Sequence, residues 1–254
     1  MPDERLHPGA RSFSTAASVY ERARPPFPVA AVDWLCAQLA ITADTRVLDL
    51  AAGTGRLTRP LYARTRRIVA VEPVAEMREQ LQHALPAIEV LDGIAEELPL
   101  ATGCVDVVVV AQAFHWFDPE PALSEISRVL VPGGRLGIVW HAADLSDPVQ
   151  QRFRALVERH RGGASAHVTG EAARFLGVQR LFDLIAKAEI VDVHEYDADG
   201  LAALALSTSH VARLSPELQA GTLGEARAIA ADGVVGLPYV VELLAFGQAA
   251  TTSH

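Results

Sequence analysis

The chain has 254 residues, half of them hydrophobic, which suits one large domain with a sizeable core. Its 22 Lys and Arg stand against 31 Asp and Glu, a formal charge of −9 that argues against a strongly basic nucleic-acid surface. No stretch approaches the roughly 18 uninterrupted apolar residues of a membrane span, and the start M-P-D-E-R-L-H-P lacks the basic and apolar segments of a secretory signal, so a cytoplasmic protein is expected.

From residue 28 to 140 the pattern alternates between helical and strand periods. Val29, Val32, Leu35, Cys36 and Leu39 recur at helical spacing after the Pro25-Pro26 break. Arg46 to Leu50 reads as a short buried strand, and a helix starting near Gly55 carries Leu57, Leu61 and Tyr62 on one face. Ile68 to Val71 predicts a second strand, ended by Glu72-Pro73. Val74, Met77, Leu81 and Leu85 then mark a helix, Ile88 to Leu91 a third strand and Val105 to Ala111 a fourth. Leu123, Ile126, Val129 and Leu130 predict a helix stopped by V-P-G-G, and Arg135 to Trp140 a fifth strand.

Beyond residue 141 the signal is weaker. D-P-V-Q-Q-R-F-R-A-L-V-E-R-H predicts a helix, and R-G-G-A-S-A-H-V-T-G a mobile connection. Ile190 to Tyr196 and Tyr239 to Phe246 are candidate strands, with a helix over Pro216 to Ala231 between them. Cys36 and Cys104 form no framework and are expected to be buried free thiols. The nine histidines are scattered, so no metal site is expected.

Continuous apolar strands between amphipathic helices predict a parallel sheet covered on both faces. Right-handed crossovers bring the loops after Leu50, Val71, Leu91 and Val110 into one crevice at the carboxyl edge. The first loop, in V-L-D-L-A-A-G-T-G-R-L-T, lacks the third glycine of a dinucleotide fingerprint, because Arg56 or Thr58 stands there. No Gly-Lys-Ser/Thr follows, so it is not a P-loop either. What remains is a loop that lets a ligand lie on bare main chain between Asp49 and Glu72, 23 residues apart. A carboxylate at the end of the second strand can accept both hydroxyls of a ribose, and an acidic loop suits a cationic nucleoside better than a phosphate.

The motifs V-L-D-L-A-A-G-T-G, V-A-V-E-P, G-I-A-E-E-L-P-L, A-Q-A-F-H-W-F-D and R-V-L-V-P-G-G-R-L occur in this order over residues 45 to 140. Together they resemble the class I S-adenosylmethionine-dependent methyltransferases of the type 11 group, and the upstream Y-E-R-A-R-P-P-F-P resembles that family's entry segment. The resemblance implies an α/β fold, a Rossmann-like doubly wound, mostly parallel seven-stranded sheet with helices on both faces and a helical cap. Residues 28–140 would be the cofactor-binding core, 1–27 and 142–178 a cap or lid, and 190–246 the completion of the sheet. The implied cofactor is S-adenosyl-L-methionine, with S-adenosyl-L-homocysteine as product. The implied partner is a small-molecule methyl acceptor, with neither nucleic acid nor membrane.

Carried over by motif, the resemblance assigns the methionyl ammonium to Asp49 and close main-chain contact to Ala51, Gly53 and Gly55. It assigns the ribose hydroxyls to Glu72, the adenine faces to Pro73 and Met77, and the adenine edge to the N–H of Ala95. Gln112 would sit beside the sulfonium. Ala51 departs from the family's usual glycine. Ile94 replaces a usual Asp, so the acceptor for the adenine amino group is either absent or Glu96. Tyr20 and Arg24 lie on a segment able to fold over the cofactor, with Arg24 a candidate partner of the methionyl carboxylate. Two histidines at strand ends, His115 and His141, are candidate general bases for acceptors that must lose a proton. A protein of the same fold that binds the cofactor in a role other than methyl transfer is the alternative expectation.

Overall fold

The computed structural model describes residues 23–159 and 181–249. Tyr20, the first part of the entry segment, the R-G-G-A-S-A-H-V-T-G connection and the rest of the expected 142–178 cap beyond residue 159 lie outside these.

Seven strands form one sheet: β1 (Val47–Leu50), β2 (Ile68–Val71), β3 (Glu89–Leu91), β4 (Val105–Ala111), β5 (Leu130–Ala143), β6 (Phe182–Tyr196) and β7 (Val235–Gln248). Their order is β3-β2-β1-β4-β5-β7-β6. The first five run parallel, and β7 is antiparallel to both β5 and β6. Chain order reverses between β1 and β4, which opens a crevice at the carboxyl ends of those two strands.

Period-2 alternation sends side chains to two cores. Leu48, Val108, Val110, Leu136 and Ile138 face one side, where α4 (Pro119–Val129) covers them with Leu123, Ile126 and Val129. Val47, Val107, Val109, Val139 and Leu243 face the other. There they meet α1 (Val29–Gln38), Leu57 and Leu61 at α2 (Thr58–Tyr62), and Leu81 of α3 (Ala75–Ala84). Full burial of each such Leu or Val stabilises the fold by about 1.5–3 kcal/mol. Gly137 on β5 lies under the end of α1: a Cβ there would lie 2.6 Å from Cδ1 of Leu39, the C-cap, and 3.4 Å from Leu35 Cδ2. Gly137→Val is therefore expected to lower stability by about 1–3 kcal/mol through overpacking, read as a shift in the urea midpoint. An unchanged midpoint would mean that α1 yields freely.

A third apolar cluster joins α5 (Pro148–Glu158), α6 (Ala198–Leu206) and α8 (Pro216–Ile229) to Tyr196 and Leu237, with Ala23 packed among them. Between α6 and α8 runs the short α7 (Ser209–Ala212). These helices cover the carboxyl end of β6 and the start of β7. Thus the connection between β6 and β7, and not only the segment after residue 142, supplies helices over that edge. Asp197 starts α6 by accepting from Gly200 N at 2.7 Å.

The boundaries that differ most from the periodicity are those of β5, β6 and β7. Leu130 is a strand residue opposite Val105, and V-P-G-G is absorbed as an irregularity before Arg135 pairs with Val107. The helix stops one residue earlier because Leu130 is already extended, at φ −70 and ψ 141. Strands β6 and β7 run well beyond their apolar stretches. On the edge strand β6 one face is solvent-exposed, so Lys187 and Glu189 interrupt the hydrophobic signal without ending the strand.

Candidate active site

Asp49 is next to last on β1, and Leu50 pairs with Val71 on one side and Val110 on the other. The carboxylate of Asp49 is 1% exposed and accepts from Thr58 Oγ1 of α2 at 2.6 Å. The loop then turns through left-handed backbone at Ala51, Gly53 and Gly55, with φ of 55, 58 and 85. The two glycines differ in purpose. A Cβ on Gly53 would meet only Met77 Sδ at 3.8 Å, so its bare face borders open space beside Met77. A Cβ on Gly55 would collide with Leu81 Cδ1, so the bare Gly55 lets α3 pack against the loop.

Glu72 follows β2 and is 4% exposed. Its two oxygens accept from Gly53 N and Val74 N, each at 2.9 Å, tying the β1 loop to the β2 loop. Arg78 Nη1 donates to the Glu72 carbonyl at 2.7 Å and to Asp92 at 3.0 Å, which steadies this corner. Burial pushes both acids up to about 7. Hydrogen bonds from Thr58 at Asp49, and from Val74 and Gly53 at Glu72, only partly offset it.

Around them, Pro73 is half-buried, Met77 forms a small buried cluster with Val74, and Ala95 is buried at the α4-side core. Glu96 accepts from Asp118 N at 2.7 Å, an anchor for the β4–α4 loop. Gln112, just past β4, has φ 59, a strained conformation for a non-glycine residue. It is held by N–H donation to the Val139 carbonyl at 2.9 Å and side-chain donation to the His141 carbonyl at 3.2 Å.

The two candidate bases do not meet. His115 sits in a 3-10 turn (Phe114–Trp116) and packs against Trp116 and Trp140, with ring centroids at 4.3 and 5.2 Å. His141, next to Trp140 on β5, points to the opposite face and stacks on Phe27 at 4.9 Å. Burial, reinforced by the charges of Arg56 and His194, pulls His141 down to about 3. A base that weak is not matched to proton abstraction near neutrality, which counts against that expected role.

His141 instead belongs to a polar group that the motifs do not reveal. Its ring lies 5.7 Å from Tyr239 at the start of β7 and 6.4 Å from His194 near the end of β6. His194 Nε2 lies 2.7 Å from Asp192 Oδ2. Tyr196 donates to the Ala23 carbonyl at 3.2 Å, which draws the preceding segment onto this edge. Arg24 Nε donates to Ser207 Oγ at 3.1 Å, and the charges of Arg24 and Arg56 both act on His141 and Tyr196. Arg56, in the β1 loop, thus links the Asp49–Glu72 corner to the His141 group. For His194, the strand-end logic that singles out His141 would have served equally. Gln150 on α5 carries no such signal. Among the described residues no cluster of three His, Cys, Asp or Glu could hold a metal ion, and no helix is long and apolar enough to cross a membrane. Cys36 and Cys104 are free and half-buried.

A doubly wound sheet with an acid at the end of each of its first two strands, bridged by a glycine loop at the switch point, defines a nucleoside-binding α/β protein. Residues 48–138 match the family model described as a methyltransferase domain. An uncharacterized methyltransferase of Mycobacterium tuberculosis is 41% identical over 199 residues, covering 70% of this chain and 80% of the relative. Among solved structures, a protein described as a type II methyltransferase from Anaeromyxobacter dehalogenans has a TM-score of 0.64 at 22% identity, covering 89% of this chain and 97% of that one. Geranyl diphosphate C-methyltransferase from Streptomyces coelicolor, solved with S-adenosyl-L-homocysteine, has a TM-score of 0.53 at 14% identity, covering 87% and 76%. The chain belongs to the S-adenosylmethionine-dependent methyltransferase family.

Proposed function

We propose that this enzyme moves the methyl group of S-adenosyl-L-methionine to a small-molecule acceptor bound where β5 and β6 end and β7 begins. The observation that carries the cofactor side is the pair of buried acids joined through Gly53. In the apolar interior a carboxylate is stabilised by an approaching cation and by hydroxyl donors, which the cofactor's ammonium and ribose supply. Asp49 holds the ammonium, and Glu72 receives the ribose hydroxyls on the lone pairs left by its two backbone donors. The backbone of Ala51, Gly53 and Gly55 borders the cofactor, Pro73 and Met77 pack on adenine, and Ala95 N–H meets its edge. Gln112 faces the sulfonium, and Arg24 pairs with the methionyl carboxylate.

Bound there, the cofactor supplies an activated methyl group on a sulfonium with a good leaving group. The protein's contribution is then alignment: rigid strand ends hold the nucleophile in line while the helices overhead keep water out. A small acceptor is supported by the packing of the α5, α6 and α8 cluster against Tyr239, and by the chain's charge of −9.

The test is transfer of a labelled methyl group to a size-fractionated cell extract. Label is expected in the low-molecular-weight fraction. Label found only in nucleic acid or protein would overturn the small-acceptor reading, whereas failure of calorimetry to detect the cofactor would overturn the site itself.

A further inference from the structure

Two buried polar atoms at the β5–β7 edge have no hydrogen-bond partner among the described residues: His141 Nε2 and Gln150 Oε1. Unpaired polar atoms in a protein interior are costly and uncommon, and two at one edge call for an explanation. They bracket a single place. His141 packs against Tyr239 at 5.7 Å, and the Gln150 side chain, itself 2% exposed, lies against the Tyr239 hydroxyl. The guanidinium groups of Arg56 and Arg24 act on His141 and Tyr196, and at His141 the Asp192 carboxylate opposes them, so the place carries two cationic groups against one acid.

Resting on the reading above, we propose that this place is the acceptor subsite and that it takes a hydroxycarboxylic acid. The carboxylate faces Arg56 and His141 Nε2, and the hydroxyl donates to Gln150 Oε1. A neutral imidazole can present Nε2 as a donor, so together with Arg56 it offers a carboxylate a donor and a cation, which a neutral ester matches less well. The oxygen of Gln150 is an acceptor and selects an acceptor molecule with an O–H on the same small frame. Tyr239 contacts the His194 ring, which in turn contacts Asp192, so this pair lies beside the two contacts. His141 then serves binding rather than proton transfer, which agrees with its weak basicity.

The test uses the protein saturated with S-adenosyl-L-homocysteine, titrated calorimetrically with malate and 4-hydroxybenzoate and with their methyl esters. At least one acid is expected to bind about tenfold or more tightly than its ester, the worth of one charge-assisted contact. Arg56→Gln should erase that preference and Arg56→Lys restore part of it, with ester binding and thermal midpoint little changed. Gln150→Leu should weaken 4-hydroxybenzoate more than benzoate. Equal binding of acid and ester, or no acid binding up to about 10 mM (under 3 kcal/mol of affinity), would sink the proposal. Acids that displace S-adenosyl-L-homocysteine instead of joining it would also overturn it, because the charge would then serve the cofactor's own carboxylate. Loss of S-adenosyl-L-homocysteine binding in the unsubstituted protein is a different result and counts against the cofactor site instead.

Discussion

Glu72→Ala is expected to weaken S-adenosylmethionine binding by about a hundredfold or more. The carboxylate sits 4% exposed with both oxygens already accepting backbone N–H groups at 2.9 Å, so its orientation is fixed before any ligand arrives. Removing it takes away the proposed acceptor for two ribose hydroxyls. A hydrogen bond to a charged group is worth about 1.5–3 kcal/mol, so two of them give at least roughly two orders of magnitude. The same change leaves the Gly53 and Val74 N–H groups without that partner and lowers stability, so affinity must be measured where circular dichroism shows the variant folded. Glu72→Gln separates the two effects. Its single amide oxygen can keep one backbone donor, but its NH₂ confronts the other, so both stability and affinity should fall between those of Glu72→Ala and the parent. Should folded Glu72→Ala bind the cofactor as the parent does, the ribose does not lie at the end of β2.

What could be read from the sequence was whatever lies close along the chain. Asp49, Gly53 and Thr58 fall within ten residues, and strand, loop and helix start are fixed by local period and turn chemistry. Glu72 was legible because the residue after a short apolar strand in a parallel sheet must emerge at the carboxyl edge. At Gly55 the turn follows from local chemistry, but the side chain that forbids a Cβ there, Leu81, comes from another helix. The polar group around His141 was not legible. His141, His194, Tyr239 and Gln150 meet only because β7 inserts antiparallel between β5 and β6 and so brings its first residues to the edge where the others end. Nothing in local period specifies that insertion. Arg56 illustrates the point further: as a sequence feature it only excluded a dinucleotide fingerprint, and its charge acquires a role once β5 and β6 stand beside the loop.

Between pH 8 and pH 6 the affinity for S-adenosylmethionine is expected to fall by about a hundredfold, with the steepest change near 7. Asp49 and Glu72 are both raised to about 7 in the free protein, chiefly by burial, whereas carboxyls in an unfolded chain titrate near 4. In the proposed site the cofactor requires both ionised, Asp49 to face an ammonium and Glu72 to act purely as an acceptor. Each acid's ionised fraction drops from about 0.9 to about 0.1 over this interval, so each contributes roughly tenfold. Proton linkage fixes the sign for stability as well. From about pH 4 to 7 the native state holds more protons than the unfolded chain, so these two groups make the free protein less stable as pH rises through that window. Cofactor stabilisation should therefore be largest above pH 7, where two uncompensated buried charges gain a cation and hydroxyl donors. Asp49→Asn removes one titrating group while keeping an oxygen to accept from Thr58. Its affinity should be lower at pH 8 and should vary only about tenfold down to pH 6. Calorimetry in buffers of different ionisation enthalpy reads the proton count directly, and release at pH 6 should be one proton greater in the parent than in Asp49→Asn. A parent protein whose affinity stays flat from pH 6 to 8 would mean that these acids are already ionised before binding, and that burial is not what poises them.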